Sequence, residues 1–308
     1  MRLLTRSDFD GLACGALLKA FGVIDSWKFV HPKDMQDGRV EVTNNDVLAN
    51  VPYMPGCKMW FDHHVSENER LDPDLKYEGC SRPADSAARV IYDYYDGEKK
   101  LPHFKEMIAA VDKVDAAKLS IDEIQNPTGW VLLGFIMDPR TGLGRFREFR
   151  ISNYQLMEEL IDACRTMNID QIMSLPDVKE RVKLYFEQDK LFREMVAKYT
   201  KIYKNLIATD LRGVDPIYTG NRFLIYSLYP KQNISMWIVD ARAKDDASKK
   251  AAIAVGHSVL NRTSKTNVGT LLFEYGGGGH HQVGTCQVSA ENADRAIEVL
   301  IKSINQDG

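Results

Sequence analysis

A short apolar run, Lys58 to Phe61, ends in one acid and two imidazoles, Asp62, His63 and His64. The run has the length and the composition of a buried strand. Ligands and substrates of open α/β sheets gather at the carboxyl ends of strands, so this stretch is a candidate for metal or acid–base chemistry. The alternative interpretation is a capping Asp beside two surface histidines.

Two further carboxylates, Asp8 and Asp10, follow a strand predicted from Arg2 to Arg6. A helix is predicted from Leu12 to Phe21, so a single Asp at this turn would be an ordinary N-cap. Two carboxylates separated by one residue instead offer oxygens to a divalent cation. The pattern favours a metal site over a cap.

A third acid, Asp46, comes just after a strand predicted over residues 40–43. Three predicted strand ends in the first part of the chain therefore carry carboxylates or imidazoles. These ligands, without thiolates, suit Mn²⁺ or a similar ion better than structural zinc. Two such ions close together can polarise a phosphoryl group and generate hydroxide near neutral pH.

A helix predicted from Pro102 to Val114 brings Asp112 and Asp115 to its C-terminal end. Carboxylates there oppose the helix dipole, which favours a functional role for one of them over two solvated surface acids. The loop that follows the next helix contains four arginines. It is predicted as a solvated loop or as a phosphate-facing rim, and its arginines are Arg140, Arg145, Arg147 and Arg150.

Four consecutive glycines, Gly276 to Gly279, precede His280 and His281, with Arg262 upstream. Without side chains, backbone N–H groups can approach an anion closely. A glycine run alone is more often a flexible turn, but the imidazoles and the guanidinium make a phosphate cradle the preferred interpretation.

Composition sets the limits on function. The chain has 308 residues, 44% hydrophobic and 27% charged, with a formal net charge of -3. A polyanion must therefore be met by a local patch or by metal ions, because no overall basic field exists. Five scattered cysteines indicate reduced thiols in the cytoplasm. No signal peptide and no membrane span are expected.

The predicted fold class is α/β, with two αβ regions separated by a long charged helix over residues 177–205. Strand-like character returns after this helix, and one of the strands is predicted from Phe223 to Tyr229. The helix is therefore interpreted as a linker between two domains.

Three motifs in this order resemble the DHH phosphoesterase superfamily with its C-terminal DHHA1 domain. They are Ser7-Asp8-Phe9-Asp10-Gly11, Asp62-His63-His64 and Gly276-Gly277-Gly278-Gly279-His280-His281. The resemblance covers nearly the whole chain. It is strongest to the short, two-domain members described as exopolyphosphatase-related or nano-RNase-like.

The resemblance implies an N-terminal parallel-sheet domain (1–175), a linker helix (176–205) and a smaller C-terminal α/β domain (206–308), with the active site in a cleft. It also implies two Mn²⁺ ions, with Mg²⁺ or Co²⁺ as alternatives. The implied ligands are Asp8, Asp10, Asp46, His63 and either Asp115 or Asp112. Asp115 is preferred because small residues follow it.

In this assignment Asp62 orients the motif, and His64 faces ligand or substrate. Arg262, Gly277, Gly278, Gly279, His280 and His281 would hold phosphate. One departure stands out, because many family members have a His four residues before the first Asp, where this chain has Leu4. The first metal site is therefore expected to be weaker, to be completed by another residue or water, or to be empty without substrate, so that one or two ions are expected.

The expected activity is metal-dependent hydrolysis of phosphoester or phosphoanhydride bonds in a small polyanion. Short oligonucleotides, nucleotide phosphates and polyphosphate all fit. Short single-stranded nucleic acid is a compatible partner, as is a second copy of the chain; a membrane is not. Leu4 motivates the alternative of a catalytically weak nucleotide or polyanion sensor.

Overall fold

The computed structural model describes residues 1–64, 72, 74–241 and 249–308. They form two compact units, 1–118 with 126–185, and 119–125 with 186–308. The short segment 119–125 belongs to the second unit, where Asn221 Nδ2 donates to the carbonyl of Ile124 at 3.2 Å. The functional division at 175 and 205 stays a prediction.

The first unit is built on a five-stranded sheet in the order β2-β1-β3-β4-β5, and every neighbouring pair is parallel. Its inner strands are largely buried, as is typical of parallel sheets, whereas its two edge strands are partly exposed. The strands are β1 (Arg2–Arg6), β2 (Ser26–Val30), β3 (Asp46–Ala49), β4 (Met59–Asp62) and β5 (Glu78–Ser81).

Helices cover this sheet. The first follows β1 so closely that a Cβ on Gly11 would lie 1.9 Å from the carbonyl oxygen of Arg6. Glycine is therefore required at this turn. The helices are α1 (Phe9–Ala20), α2 (Pro32–Gln36), α3 (Ala87–Tyr94), α4 (Gly97–Lys100), α5 (Lys105–Asp115), α7 (Gly129–Met137), α8 (Asn153–Thr166) and α9 (Ile169–Ser174); α6 (Ile121–Gln125) lies in the second unit.

The prediction of a strand over residues 40–43 is wrong. Val40 and Val42 pack their side chains against the buried cluster around Trp60, but the strand begins only at Asp46. A short apolar run does not by itself reveal which residues enter the hydrogen-bonded ladder. The correction moves the carboxyl end of β3 from Asp46 to Asn50.

The second unit contains a mixed six-stranded sheet in the order β10-β11-β9-β8-β7-β6. Its strands are β6 (Thr200–Tyr203), β7 (Leu206–Asp210), β8 (Ile234–Ala241), β9 (Lys250–His257), β10 (Gly278–Gly279) and β11 (Val283–Ser289). The helices that follow the long α10 (Pro176–Tyr199) are α11 (Leu224–Leu228), α12 (Val268–Phe273) and α13 (Ala290–Asp307). The predicted two-part α/β architecture is confirmed.

Two local predictions in this part of the chain are wrong. The helix predicted to Asn205 ends at Tyr199, because Thr200–Tyr203 pairs with β7 as an antiparallel strand. The strand predicted from Phe223 to Tyr229 is a helix, which begins where Asn221 Oδ1 accepts from the N–H of Phe223. Short apolar runs are ambiguous between the two structures.

All five cysteines are free thiols, three of them buried. Within the described residues, no helix combines the length and the apolar character needed to cross a bilayer.

Candidate metal centre

The carboxylate of Asp10 is fixed in the first turn of α1, directly after β1. Its two oxygens accept the N–H groups of Ala87 at 2.9 Å and Ala88 at 2.8 Å, which are unpaired donors at the start of α3. The positive end of the α3 dipole favours a negative charge here. Asp10 is only 2% exposed, so its position is set by backbone and not by solvent.

His63 follows β4 and directs one ring nitrogen at two carboxylates. Its Nδ1 lies 3.2 Å from the carbonyl oxygen of Ala84, which sets Nδ1 as the protonated nitrogen. The Nε2 atom is buried without a hydrogen-bond partner, 3.2 Å from Asp115 Oδ2 and 3.9 Å from Asp10 Oδ2. A lone pair that faces carboxylate oxygens requires a cation between them, either a proton or a metal ion.

The donor set fits a divalent metal ion. Asp10, His63 and Asp115 each offer a ligand atom, and these atoms lie within 4.8 Å of one another. Two carboxylates and one imidazole suit Mn²⁺ and similar ions. The carbonyl of Ala84 behind His63 is the outer partner that orients metal-binding imidazoles.

The electrostatics of these carboxylates also favour a bound cation. Burial raises the pKa of Asp10 to about 7 and that of Asp115 to about 7, and the charge of Asp8 adds to both effects. The ionised forms of both carboxylates are therefore destabilised in this protein. A bound cation would stabilise them.

His64 is held beside this group by Asp62. Its Nδ1 lies 3.0 Å from Asp62 Oδ1, and its backbone N–H donates to Asp62 Oδ2 at 3.3 Å. Burial lowers the pKa of His64, but the hydrogen bond and the charge of Asp62 outweigh this effect and raise it overall. Asp62 is fully buried and His64 is 42% exposed, so the acid is structural and the imidazole can meet a ligand.

Asp8 is close to the group but is held by other partners. Its Oδ1 accepts from the N–H of Gly11 at 2.9 Å and from Asn50 Nδ2 at 3.0 Å. Its Oδ2 pairs with Arg6 Nε at 3.1 Å. In the described part of the chain, Asp8 joins neither of the two sets of side chains that could hold a metal ion.

Asp46 lies at the wrong end of the sheet for its predicted role. It begins β3 and is paired in register with Arg2, whereas Asp8 follows the other end of β1. Asp46 and Ala49 are three residue steps apart along the strand, a distance of about 10 Å. Its carboxylate binds Arg2 at 2.7 and 2.9 Å. The structure therefore does not bring Asp46 to the metal-binding group, because the strand begins at Asp46 and not before it.

Replacing Asp46 by Asn is therefore expected to leave metal binding and activity unchanged and to lower stability by about 1–3 kcal/mol. Burial alone would raise the pKa of Asp46, but hydrogen bonds from Arg2 and Thr43 outweigh it and lower that pKa. A lowered pKa means that the contribution is present at neutral pH and is lost as the pH falls below about 4. Thermal unfolding of both proteins at pH 7 and pH 3.5 measures this difference, and a loss of bound metal in the variant would contradict the assignment.

The two alternatives at the end of α5 are separated by their partners. Asp112 accepts from Ser86 Oγ at 2.7 Å and from Arg89 Nε and Nη2 at 2.9 and 2.7 Å. These contacts hold the start of α3. Asp115, one helical turn later, faces His63. The structure therefore brings Asp115, and not Asp112, to the metal-binding group.

Three residues near the site were not identified as site residues from the sequence. Asn50 and Arg6 bind Asp8, and Arg140 lines a small cavity together with Asp8, Asp10 and Asp115. Arg140 belongs to the arginine-rich loop that was predicted as solvated or as a phosphate-facing rim. The signal for Asn50 was its place directly after the apolar run Val47–Ala49.

The glycine run belongs to the second unit and is not an open cradle of amides. The N–H groups of Gly276, Gly277 and His280 donate to carbonyls of the protein itself. Gly278 and Gly279 form β10, and a Cβ on Gly279 would lie 2.2 Å from the carbonyl oxygen of Val283. Close packing against β11 thus explains these glycines. Exposed side chains remain for a ligand, namely His280, His281 and Arg262.

Comparisons with known proteins include a close relative among the solved structures. No protein-family model and no curated protein matches the chain. Among solved structures, the chain is 48% identical to the pGpG-specific phosphodiesterase PggH from Vibrio cholerae, with a TM-score of 0.87, over 100% of this chain and 99% of that one.

Two more distant structures share the fold. An exopolyphosphatase-related protein from Bacteroides fragilis is 14% identical, with a TM-score of 0.51 over 98% of this chain and 91% of that one. RecJ from Thermus thermophilus in complex with Mn²⁺ is 10% identical, with a TM-score of 0.50 over 99% of this chain and 52% of that one. The resemblance read from the motifs is confirmed. The chain belongs to the DHH/DHHA1 phosphoesterase superfamily and is a metal-dependent phosphoesterase.

Proposed function

We propose that this protein hydrolyses a short, 5′-phosphorylated dinucleotide such as pGpG to mononucleotides, with Mn²⁺ as its preferred ion. The observation that carries the proposal is the 48% identity over the whole chain to a pGpG-specific phosphodiesterase. The group Asp10, His63 and Asp115 supports it independently, because its buried imidazole nitrogen lacks a hydrogen-bond partner and faces two carboxylates.

In this proposal Asp10, His63 and Asp115 hold the ion. When bound, a divalent ion polarises the phosphoryl group and lowers the pKa of water. The N-terminus of α3 keeps Asp10 in place, and Ala84 keeps His63 in the tautomer that leaves Nε2 free to bind. The protein therefore contributes a ligand set that needs little rearrangement.

His64 is proposed to act on the substrate itself. Because Nδ1 is engaged by Asp62, the outward nitrogen is Nε2, and the raised pKa favours a proton there. A protonated imidazole beside the scissile phosphodiester offsets negative charge and can deliver a proton to the leaving oxygen. Asp62 acts through His64, as a positioning residue.

The far phosphate is proposed to bind Arg262, His280 and His281 of the second unit. All three are exposed, and the net charge of -3 means that a polyanion must rely on such local cations. The glycine run forms a compact turn that presents the imidazoles of His280 and His281.

A substrate panel tests the proposal. We expect Mn²⁺-loaded protein to convert pGpG to GMP at least about tenfold faster, in kcat/KM, than it attacks longer oligonucleotides, cyclic dinucleotide, phosphoadenosine phosphate or polyphosphate, because discrimination of that size needs only about 1.4 kcal/mol. Products are separated by anion-exchange chromatography. Tight binding of pGpG without any GMP would instead favour the sensor, and preferred release of phosphate from polyphosphate would contradict the substrate.

A further inference from the structure

We infer that this site binds one divalent ion and not two, and that the guanidinium groups of Arg6 and Arg140 take the place of a second ion. The inference rests on the proposed function only in that one ion binds Asp10, His63 and Asp115. The two-ion arrangement that the family resemblance implies does not fit the remaining residues.

The first reason is that both oxygens of Asp8 are already engaged by groups of the protein. Oδ1 already accepts two hydrogen bonds, from Gly11 and Asn50, and Oδ2 pairs with Arg6. The N–H of Gly11 is a fixed donor of α1, so Asp8 performs the capping role that its position allows. An ion at Oδ1 would compete with the amide of Gly11, and an ion at Oδ2 would compete with the guanidinium of Arg6.

The second reason is that the carboxyl ends of β1 and β3, beside Asp8, carry no further carboxylate or imidazole. The other group in the described residues that could hold an ion, Asp62, His63 and His64, shares His63 with the first, and its Asp62 is already bound to His64.

Leu4, on β1, is fully buried in the apolar cluster with Leu48 and Trp60. Asn50, at the end of β3, presents its Nδ2 to Asp8 and therefore acts as a donor. A carboxylate at position 50 would instead face Asp8 as a second acceptor, and two facing acids require a cation between them.

The third reason is the positive charge already in place. Arg140 lines the cavity that Asp8, Asp10 and Asp115 share, and its Nε donates to both oxygens of Asp138 at 2.8 and 3.1 Å. The buried carboxylate of Asp138 thereby anchors the guanidinium. The cavity has a volume of about 10 Å³, close to the smallest space that admits one water molecule. A second divalent ion there would meet repulsion from this guanidinium.

The chemical consequence is that charge on the transferring phosphoryl group is offset by one ion and by arginine. An arginine is charged at every relevant pH and does not dissociate when metal is scarce. Activation by Mn²⁺ should therefore follow a simple hyperbola with a Hill coefficient near 1.

The count of bound ions tests the inference. Purified protein is dialysed to equilibrium against Mn²⁺, and metal per chain is measured by mass spectrometry, with electron paramagnetic resonance to distinguish isolated from paired Mn²⁺ ions. We expect about one ion per chain and the six-line signal of an isolated ion. Asp115→Asn should lose the ion, and Asp46→Asn, an acid-to-amide change in the same sheet, should keep it.

A double variant tests the assigned reason. Asn50→Asp with Arg6→Ala frees Asp8 and adds a carboxylate beside it, at a position with φ of 56° that Asp tolerates. It should bind a second ion and show the coupled signal. Arg140→Gln should bind Mn²⁺ several-fold more tightly while its kcat falls, a pairing of effects that a merely structural role would not produce.

Two ions per wild-type chain would overturn the inference and leave the proposed function standing. Absence of GMP release from pGpG by Mn²⁺-loaded protein would overturn the proposed function itself, whatever the number of bound ions. A single ion in both the wild type and the folded double variant would overturn the role given to Arg6 and Asn50.

Discussion

Replacing Asp115 by Asn is expected to lower kcat for pGpG by about 1,000-fold, because the loss of a metal ligand removes several kcal/mol of transition-state stabilisation. Asn keeps the shape of the side chain but is a poor ligand beside His63 Nε2, 3.2 Å away. The measurement is the initial rate of GMP release at saturating pGpG and Mn²⁺.

The variant is expected to fold. Burial raises the pKa of Asp115 to about 7, so its ionised form costs stability in the metal-free protein, and an uncharged amide removes that cost. Its unfolding temperature without metal should therefore be no lower than that of the wild type. Glu106→Gln, an exposed acid-to-amide change on the same helix, is the matched control and should keep full activity. Wild-type turnover by the Asp115 variant would remove Asp115 from the site.

Arg181 carries the largest expected effect on stability. Its side chain is completely buried, and it donates to Asn153 Oδ1 at 2.7 Å and to the carbonyls of Asp177 and Ile151. Its guanidinium also lies 4.1 Å from the ring centroid of Phe149. Arg181→Met would remove the guanidinium donors of three acceptors in a partly buried network, so we expect a loss of about 3–5 kcal/mol.

Thermal unfolding of the two proteins measures this loss. The transition of the first unit should fall by about 10 °C. Lys179→Met removes an exposed positive charge from the same helix and should change the free energy of unfolding by no more than about 0.5 kcal/mol. If both variants unfolded at the same temperature, the buried network around Arg181 would not be a principal support of this unit.

Site residues could be predicted from the sequence where the local pattern alone determines where a strand ends. Asp10 and His63 follow continuous apolar strands, and parallel strands bring such ends together at one edge. Asp46 was misplaced because the residues before it are also apolar, and nothing local shows that they pack without joining the sheet. The predicted strand was therefore placed too early in the chain, and Asn50 was not recognised as the residue that follows β3.

Other features depend on contacts that are distant in sequence. Asp112 and Asp115 lie one turn apart on the same helix, and only their tertiary partners, Arg89 for Asp112 and His63 for Asp115, separate their roles. The glycine run suggested free amides, but those amides donate within the unit, because Leu272, Phe273 and Val283 offer carbonyls to them. Tertiary partners of this kind cannot be read from spacing.

The most direct test of the central proposal is the restoration of activity by metal. Protein stripped with chelator is mixed with pGpG, and GMP is followed as Mn²⁺ is titrated in. We predict no turnover without metal and a hyperbolic rise to full activity as about one equivalent of Mn²⁺ binds per chain. Undiminished GMP release in excess chelator, by protein shown to contain no metal, would contradict the account.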